Sequence, residues 1–444
     1  MRGRKNARIK VIAGVLCLLV LFSSFLSLPA SAEEVAMPDL SRANAVLLYQ
    51  LENSHLLASQ NADRPIFPAS TVKIMTGLLA VESLQGRYAE TMTVTQEMVN
   101  AASGFRMYLN PGETVTMEQM LYAAICAGYN DACVMLAYAV SGSVEAFVMQ
   151  MNARAAELGM TSTVYTNPTG LHQDRMVTTA NDLAKLALVA MENEAYMEIV
   201  STVKYTMDAN AIAPARTFYN RNALIARNTT SRYYNADVTG LNAGTTTEGG
   251  YCVVASAQRG DLRYLCIVMG AEEDPPELGG TVYSYQLANE LLDYAIRGFG
   301  MMRILDPQRV LATVRVALTE NRHELVLVAQ ESVDAYLPKD ADTSTLQYRV
   351  MLNDTEIKAP VEAGEVLGFV TVTYDDILLA TVNLCAAERV ERSPFLSGLD
   401  RISVYTSSRP FLLSCGYAVV LLLGYFVLLP YLRKRRNRKR AKYF

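Results

Sequence analysis

Hydrophobic and polar positions change period along the chain, and each change marks an element. Residues 44–60 run apolar, then polar at Glu52–Ser54, then apolar again, which predicts a two-stranded hairpin. Residues 70–84, with Pro68 just ahead, carry apolar side chains at helical spacing. The same period predicts helices over 117–140, 143–158 and 179–192. Two apolar runs, 250–258 and 262–270, flank a turn at Arg259-Gly260 and read as paired strands, and 282–299 returns to the helical period. Strands at both ends with helices between them predict an α/β arrangement. Its N- and C-terminal strands are sheet neighbours, and an all-helical part is inserted between them.

From about Ile304 the texture changes. Val310–Leu318, Glu324–Val328, Thr345–Leu352, Val366–Tyr374 and Ile377–Leu384 are short, rich in β-branched residues and separated by turn residues. They predict a small all-β domain over 305–390, followed by a linker over 391–410.

The two ends carry different signals. Five basic residues in Met1–Lys10, an apolar run from Val11 to Leu28 and the small residues of Pro29-Ala30-Ser31-Ala32 predict a signal peptide over 1–32. Residues 411–432 are uncharged, and about 20 apolar residues at 1.5 Å each cross a bilayer core. The basic tail 433–444 that follows predicts a cytoplasmic C-terminus, with 33–410 outside the cell membrane.

Charge is informative once the ends are set aside. The whole chain carries −4, but the signal and the tail hold 5 and 8 basic residues and no acidic ones. The intervening chain therefore has 27 basic against 44 acidic side chains, and this acidity argues against a nucleic-acid partner. The three histidines, His55, His172 and His323, are dispersed and make no metal-ligand cluster, so no cofactor is expected. Of the seven cysteines, Cys126 and Cys133 are too far apart along a helix to bridge. Cys252 and Cys266 flank the hairpin turn and read as small core hydrophobes rather than as a disulfide.

Candidate chemistry centres on Pro68-Ala69-Ser70-Thr71-Val72-Lys73 at the start of an apolar helix. Lys73, three residues on, shares the face of Ser70. A lysine in a water-poor cleft has a depressed pKa and accepts the proton of a serine nucleophile. Six residues alone do not separate this from an N-cap serine beside a solvated lysine.

A longer series of motifs does. Asn61-Ala62-Asp63-Arg64-Pro65, Asn110-Pro111-Gly112-Glu113, Asn130-Asp131-Ala132, Glu157-Leu158-Gly159-Met160, Asn167-Pro168-Thr169-Gly170-Leu171-His172, Thr178-Thr179-Ala180 with Asp182-Leu183-Ala184, Asn220-Arg221-Asn222 and Gly250-Tyr251-Cys252-Val253-Val254 follow in order. In them the chain resembles the penicillin-binding D-alanyl-D-alanine carboxypeptidases, serine peptidase family S11, over roughly 37–300 and more loosely over 305–390, which implies a carboxypeptidase domain over 33–300. The resemblance implies a β-lactamase/transpeptidase-like fold, an antiparallel sheet with an inserted helical region. It also implies a peptidoglycan stem peptide as substrate, β-lactams as inhibitors, a Ser70 acyl-enzyme with Lys73 as general base, and a β domain serving as spacer.

It further implies three motifs, Ser-x-x-Lys, Ser-x-Asn and Lys-Thr-Gly. The first stands at Ser70 and Lys73. The second falls at Gly128-Tyr129-Asn130, keeping Asn130 but losing its serine. The third falls at Asn242-Ala243-Gly244, keeping only the glycine. Asn242, Gly244 and Thr245 are the implied substrate-binding positions, with the backbone N–H groups of Ser70 and Thr245 as oxyanion donors. Two departures follow: a lost proton relay at Gly128 and a lost positive charge at Asn242. Sequence alone leaves open whether an arginine such as Arg216 or Arg221 restores that charge. It leaves open too a reading in which the chain binds wall peptides or partner proteins without turnover. A class A β-lactamase fits less well, since no general-base glutamate motif is present.

Overall fold

The computed structural model describes residues 35–226, 231–320 and 324–440, with side chains as far as Arg436. The expected signal peptide and the end of the basic tail lie outside them. The chain divides into two units. One holds the residues up to Gly300 together with Tyr336–Asp340, and the other holds Met301–Ala335 and the chain from Ala341 onward.

The first unit is built on a five-stranded antiparallel sheet. Its strands are β1 (Ala45–Gln50), β2 (His55–Gln60), β3 (Val238–Thr246), β4 (Gly250–Arg259) and β5 (Leu262–Ala271), in the order β2-β1-β5-β4-β3. The N-terminal hairpin thus pairs with the C-terminal strands, Leu47 opposite Ile267, as the hydrophobic pattern predicts. Continuous burial of Ala45–Leu48 and of Tyr264–Met269 gives the sheet an apolar layer on both faces. On one face Leu287, Leu291 and Leu292 of helix α7 (Tyr283–Gly298) pack against Val46, Val253 and Val268. The other face carries the helical part, with Ile74, Leu78, Leu121 and Leu136 at its centre. Each such buried side chain stabilises the unit by about 1.5–3 kcal/mol.

That helical part contains α1 (Val72–Ser83), α2 (Met117–Ile125), α3 (Asn130–Ser141), α4 (Val144–Glu157), α5 (Ala180–Met191) and α6 (Glu194–Ser201). The predicted single helix over 117–140 is therefore two. Gly128 adopts φ +75°, a conformation that ends a right-handed helix, and the Asn130 N–H donates to Phe105 O at 2.8 Å. Thr116 starts α2 with a capping box to Gln119. Helix α6, the short helix Gln96–Ala101 and strand β3 are additions to the sequence prediction.

Cys252 and Cys266 are both free. Cys252 belongs to the helical-side core and Cys266 to the α7-side core, and Cys266 faces Ala255 across the ladder. They fill space as small hydrophobes.

The second unit contains a six-stranded sheet of β6 (Ala312–Ala317), β7 (Glu324–Ala329), β8 (Gln347–Leu352), β9 (Ile357–Lys358), β10 (Val366–Tyr374) and β11 (Ile377–Ala386), in the order β8-β10-β11-β7-β6-β9. The predicted all-β texture is present. The segment expected to be a linker over 391–410 is instead largely helical. Ser393 caps α8 (Pro394–Thr406) by accepting from the Leu396 N–H at 3.2 Å, and Pro394 starts the helix. Helix α9 (Arg409–Arg440) includes the one continuous helix among the described residues that is long and apolar enough to cross a membrane.

Candidate active site

Ser70 sits in a single 3-10 turn, Ala69–Thr71, that leads into α1. Ala69 just before it has φ +48°, an unusual backbone for a residue with a Cβ, so the serine is set on a tight, locally strained turn. Thr71 fixes that turn by donating its hydroxyl to Pro68 O at 2.6 Å. One helical turn on, Lys73 is 2% exposed, and its Nζ lies 3.1 Å from Ser70 Oγ.

The lysine has one more fixed partner, and it comes from far along the chain. Asn167 accepts hydrogen bonds from the Thr169 N–H, the Thr169 hydroxyl and the Gly170 N–H, folding 167–170 into a tight loop. The loop is docked by Thr76, whose hydroxyl donates to Pro168 O at 2.7 Å. It presents Thr169 O to Lys73 Nζ at 2.6 Å. Gly170 is obligatory here, with φ +80° and no room for a Cβ beside Ala69 O.

Burial pushes the Lys73 ammonium down from 10.5 to about 8; the neighbouring Cys133 thiol opposes this and the Arg221 charge reinforces it. An amine near pH 8 that donates one hydrogen to a carbonyl has a lone pair left for the Ser70 proton.

The remaining candidate residues come from two other segments. Asn130 opens α3 and is 3% exposed, but one of its amide hydrogens goes to Ser103 O at 2.8 Å. Its orientation is thus set by the 103–105 loop. β3 is an edge strand of the sheet, so one row of its backbone groups is free of ladder partners. Gly244 of β3 lies directly against Ser70, and Thr245 follows it. Asn242 is buried beside the cleft, and its Oδ1 has no hydrogen-bond partner.

The cleft is narrow and is lined by Ser70, Lys73, Gly128, Arg221, Asn222 and Asn242, among others. Sequence reasoning foresaw the serine and the lysine. It did not place the Thr169 carbonyl or Asn222 there, although both lie in segments that carry the family resemblance. The two arginines left open by the sequence part company. Arg216 is held by the fully buried Glu113, with one guanidinium–carboxylate bond at 3.0 Å and a second, shorter one. Arg221 lines the cleft.

Comparison with known proteins accords with this geometry. Residues 31–273 match the family described as D-alanyl-D-alanine carboxypeptidase, and residues 299–392 match the C-terminal domain of penicillin-binding protein 5. The chain is similar to D-alanyl-D-alanine carboxypeptidase DacF of Bacillus subtilis, 29% identical over 361 residues, or 81% of this chain and 88% of that one. It is also similar to DacC of Escherichia coli, 29% identical over 376 residues, or 82% and 88% of the two chains. Among solved structures it resembles penicillin binding protein 5 of Haemophilus influenzae, with TM-score 0.57 at 25% identity over 80% of this chain and 100% of that one. With more than half its length matched to one family and with Ser70 and Lys73 in hydrogen-bonding contact, the chain belongs to the D-alanyl-D-alanine carboxypeptidases, serine peptidase family S11.

Proposed function

We propose that this chain removes the C-terminal D-alanine from peptidoglycan stem peptides through an acyl-enzyme on Ser70. The observation that carries the reading is the buried Lys73 amine 3.1 Å from Ser70 Oγ. Lys73 takes the hydroxyl proton as Ser70 Oγ bonds to the carbonyl carbon between the last two residues. The resulting oxyanion is stabilised by the backbone N–H groups of Ser70 and Thr245. The C–N bond then breaks, the departing amine takes up a proton, and D-alanine leaves an ester on Ser70. Water then attacks the ester carbonyl, the bond to Ser70 Oγ breaks, Oγ takes up a proton again, and the shortened peptide leaves as its carboxylate. Asn130 and Asn242 orient the peptide, and Gly244 lets it lie along β3. A β-lactam enters as a cyclic analogue of the scissile amide and stops at the ester.

The domain reading follows the same line. Residues 33–300 form the carboxypeptidase domain, 305–390 a β spacer, and 411–432 a single membrane span that leaves the catalytic domain extracytoplasmic and 433–444 in the cytoplasm. The apolar stretch of α9 supports the anchor.

The test uses the full chain in detergent micelles. D-alanine release from a pentapeptide ending in two D-alanines, and covalent labelling by a fluorescent penicillin, are both expected for wild type and absent for Ser70→Ala. No release and no label on wild type would refute the assignment.

A further inference from the structure

We propose that Thr76 is a positioning residue of the reaction: it pins the 167–170 loop to α1, so that Thr169 O stays on Lys73 and the free side of that amine faces Ser70. The inference rests on the carboxypeptidase reading and adds to it a residue that touches neither substrate nor nucleophile.

Three observations converge on it. First, Thr76 continues a stripe. Ser70, Lys73 and Thr76 follow one another at intervals of three, so each neighbours the next along one side of the turn and helix. Second, a threonine hydroxyl inside a helix commonly bonds back to the carbonyl four residues earlier. Thr76 instead is fully buried and donates out of its helix, to Pro168 O at 2.7 Å across 92 positions of sequence. Pro168 is itself buried, so without that hydroxyl its carbonyl is an acceptor left without a partner. Third, the next carbonyl of the same loop is the one that Lys73 uses, at 2.6 Å. Two adjacent loop carbonyls thus meet two side chains one helical turn apart. Asn167 shapes the loop, but its bonds stay within 167–171 and do not tie it to α1.

The pair of bonds has a chemical consequence. The hydrogen that Lys73 gives to a fixed carbonyl sets the rotation of its amine, which leaves the lone pair toward Ser70 Oγ, 3.1 Å away. The same carbonyl holds the charged amine more strongly than the neutral one, so releasing it lowers the pH at which the amine becomes a base. The other titratable or charged groups facing the amine are the Cys133 thiol of α3 and the Arg221 guanidinium. Neither bonds to Thr76 or to the loop among the described residues, so a change at Thr76 reaches Lys73 through Thr169 O.

The experiment uses the full chain in detergent micelles and reads the acylation rate constant for a fluorescent penicillin against pH. A rate constant does not depend on the fraction of chains that fail to fold. Thr76→Val keeps the shape and removes the donor. It is expected to move the midpoint down by about one pH unit and to lower the plateau about 10-fold, the worth of one hydrogen bond. Thr76→Ser keeps the donor and is expected to return both to the wild-type values. A merely structural role lowers the plateau or the melting temperature and leaves the midpoint in place. That result, or an equal midpoint shift in Thr76→Ser, would overturn the inference while leaving the carboxypeptidase assignment intact. If Thr76→Val yields no folded chain, Thr76→Ala is read in its place; failure of both to fold would assign Thr76 to the fold alone and overturn the inference as well. A wild type that takes no label at Ser70 would instead refute the assignment itself.

Discussion

Gly244 and Ser70 are packed so closely that a single methyl group does not fit between them: a Cβ on Gly244 would stand 2.3 Å from Ser70 Cβ and 2.9 Å from its Oγ. The strand and the nucleophile thus meet backbone to side chain. Gly244→Ala must push β3 or the 3-10 turn aside by about 1 Å, a displacement worth on the order of 100-fold in rate. The expected result is a folded protein, by circular dichroism, whose acylation by fluorescent penicillin is slowed by about that factor.

The Lys73 amine sets the pH dependence. As a base it works when neutral, so acylation is expected to rise as pH passes through about 8 and then level off. A rapid-quench pH profile on the full chain measures this, and a flat profile between pH 7 and 9 would contradict it. Stability carries a second signature of the same burial. Because the folded-state value lies below the ordinary 10.5, the unfolded chain binds the extra proton between pH 8 and 10.5, and stability rises with pH across that window. Below pH 8 the cost of burying the charge is fully present, on the order of 3 kcal/mol. Lys73→Met should therefore gain most over wild type near pH 7. The melting-temperature difference should shrink toward pH 10.5.

Restoring the missing serine is not expected to restore a relay. Gly128 holds φ +75°, so Gly128→Ser places a side chain on a left-handed backbone at a cost of about 1–2 kcal/mol. We expect a lower melting temperature and no gain in D-alanine release, both measurable on the purified variant.

Glu113 and Arg216 tie the Asn110–Glu113 loop to strand Arg216–Tyr219. Glu113 also accepts from the Asn110 N–H and from Asn210 Nδ2, and although burial opposes its charge, the Arg216 guanidinium and these donors hold its carboxyl at about 2. That is a lowered value, so the stabilisation is present above about pH 4.5 and is lost as pH falls toward 2. Arg216→Met leaves a fully buried carboxylate without its cation and should cost on the order of 3 kcal/mol in urea unfolding at pH 7. Glu113→Gln should lose its disadvantage relative to wild type as pH drops from 4.5 to 2.

What the sequence disclosed, and what it hid, follows from how far each signal reaches. Ser70 and Lys73 were readable because three-residue spacing on a helix fixes their relation locally. The strands of β4 and β5 were readable because their central stretches, Cys252–Ala257 and Tyr264–Met269, are buried on both faces and, Ser256 apart, carry no strongly polar side chain. β3 was not, since Thr-Gly-Leu-Asn-Ala-Gly-Thr-Thr has little strand preference and is held by pairing with β4. The break between α2 and α3 was hidden because the apolar period continues through it, and only Gly128 marks the turn. Arg221 stands 151 positions from Ser70 in the chain, and nothing local says that its guanidinium reaches the same cleft.

The seat of Ser70 is assembled from segments scattered over the first unit: the turn at 69–71, the loop at 167–170 and the edge strand at 242–244. Each is correct only when the sheet has closed on the helical part, because the hairpin at one end of that unit and the paired strands at the other must already be joined. Covalent capture of a penicillin therefore reports completion of the whole unit. In a membrane extract, the labelled fraction would count the chains that have finished folding, with unfinished ones remaining dark.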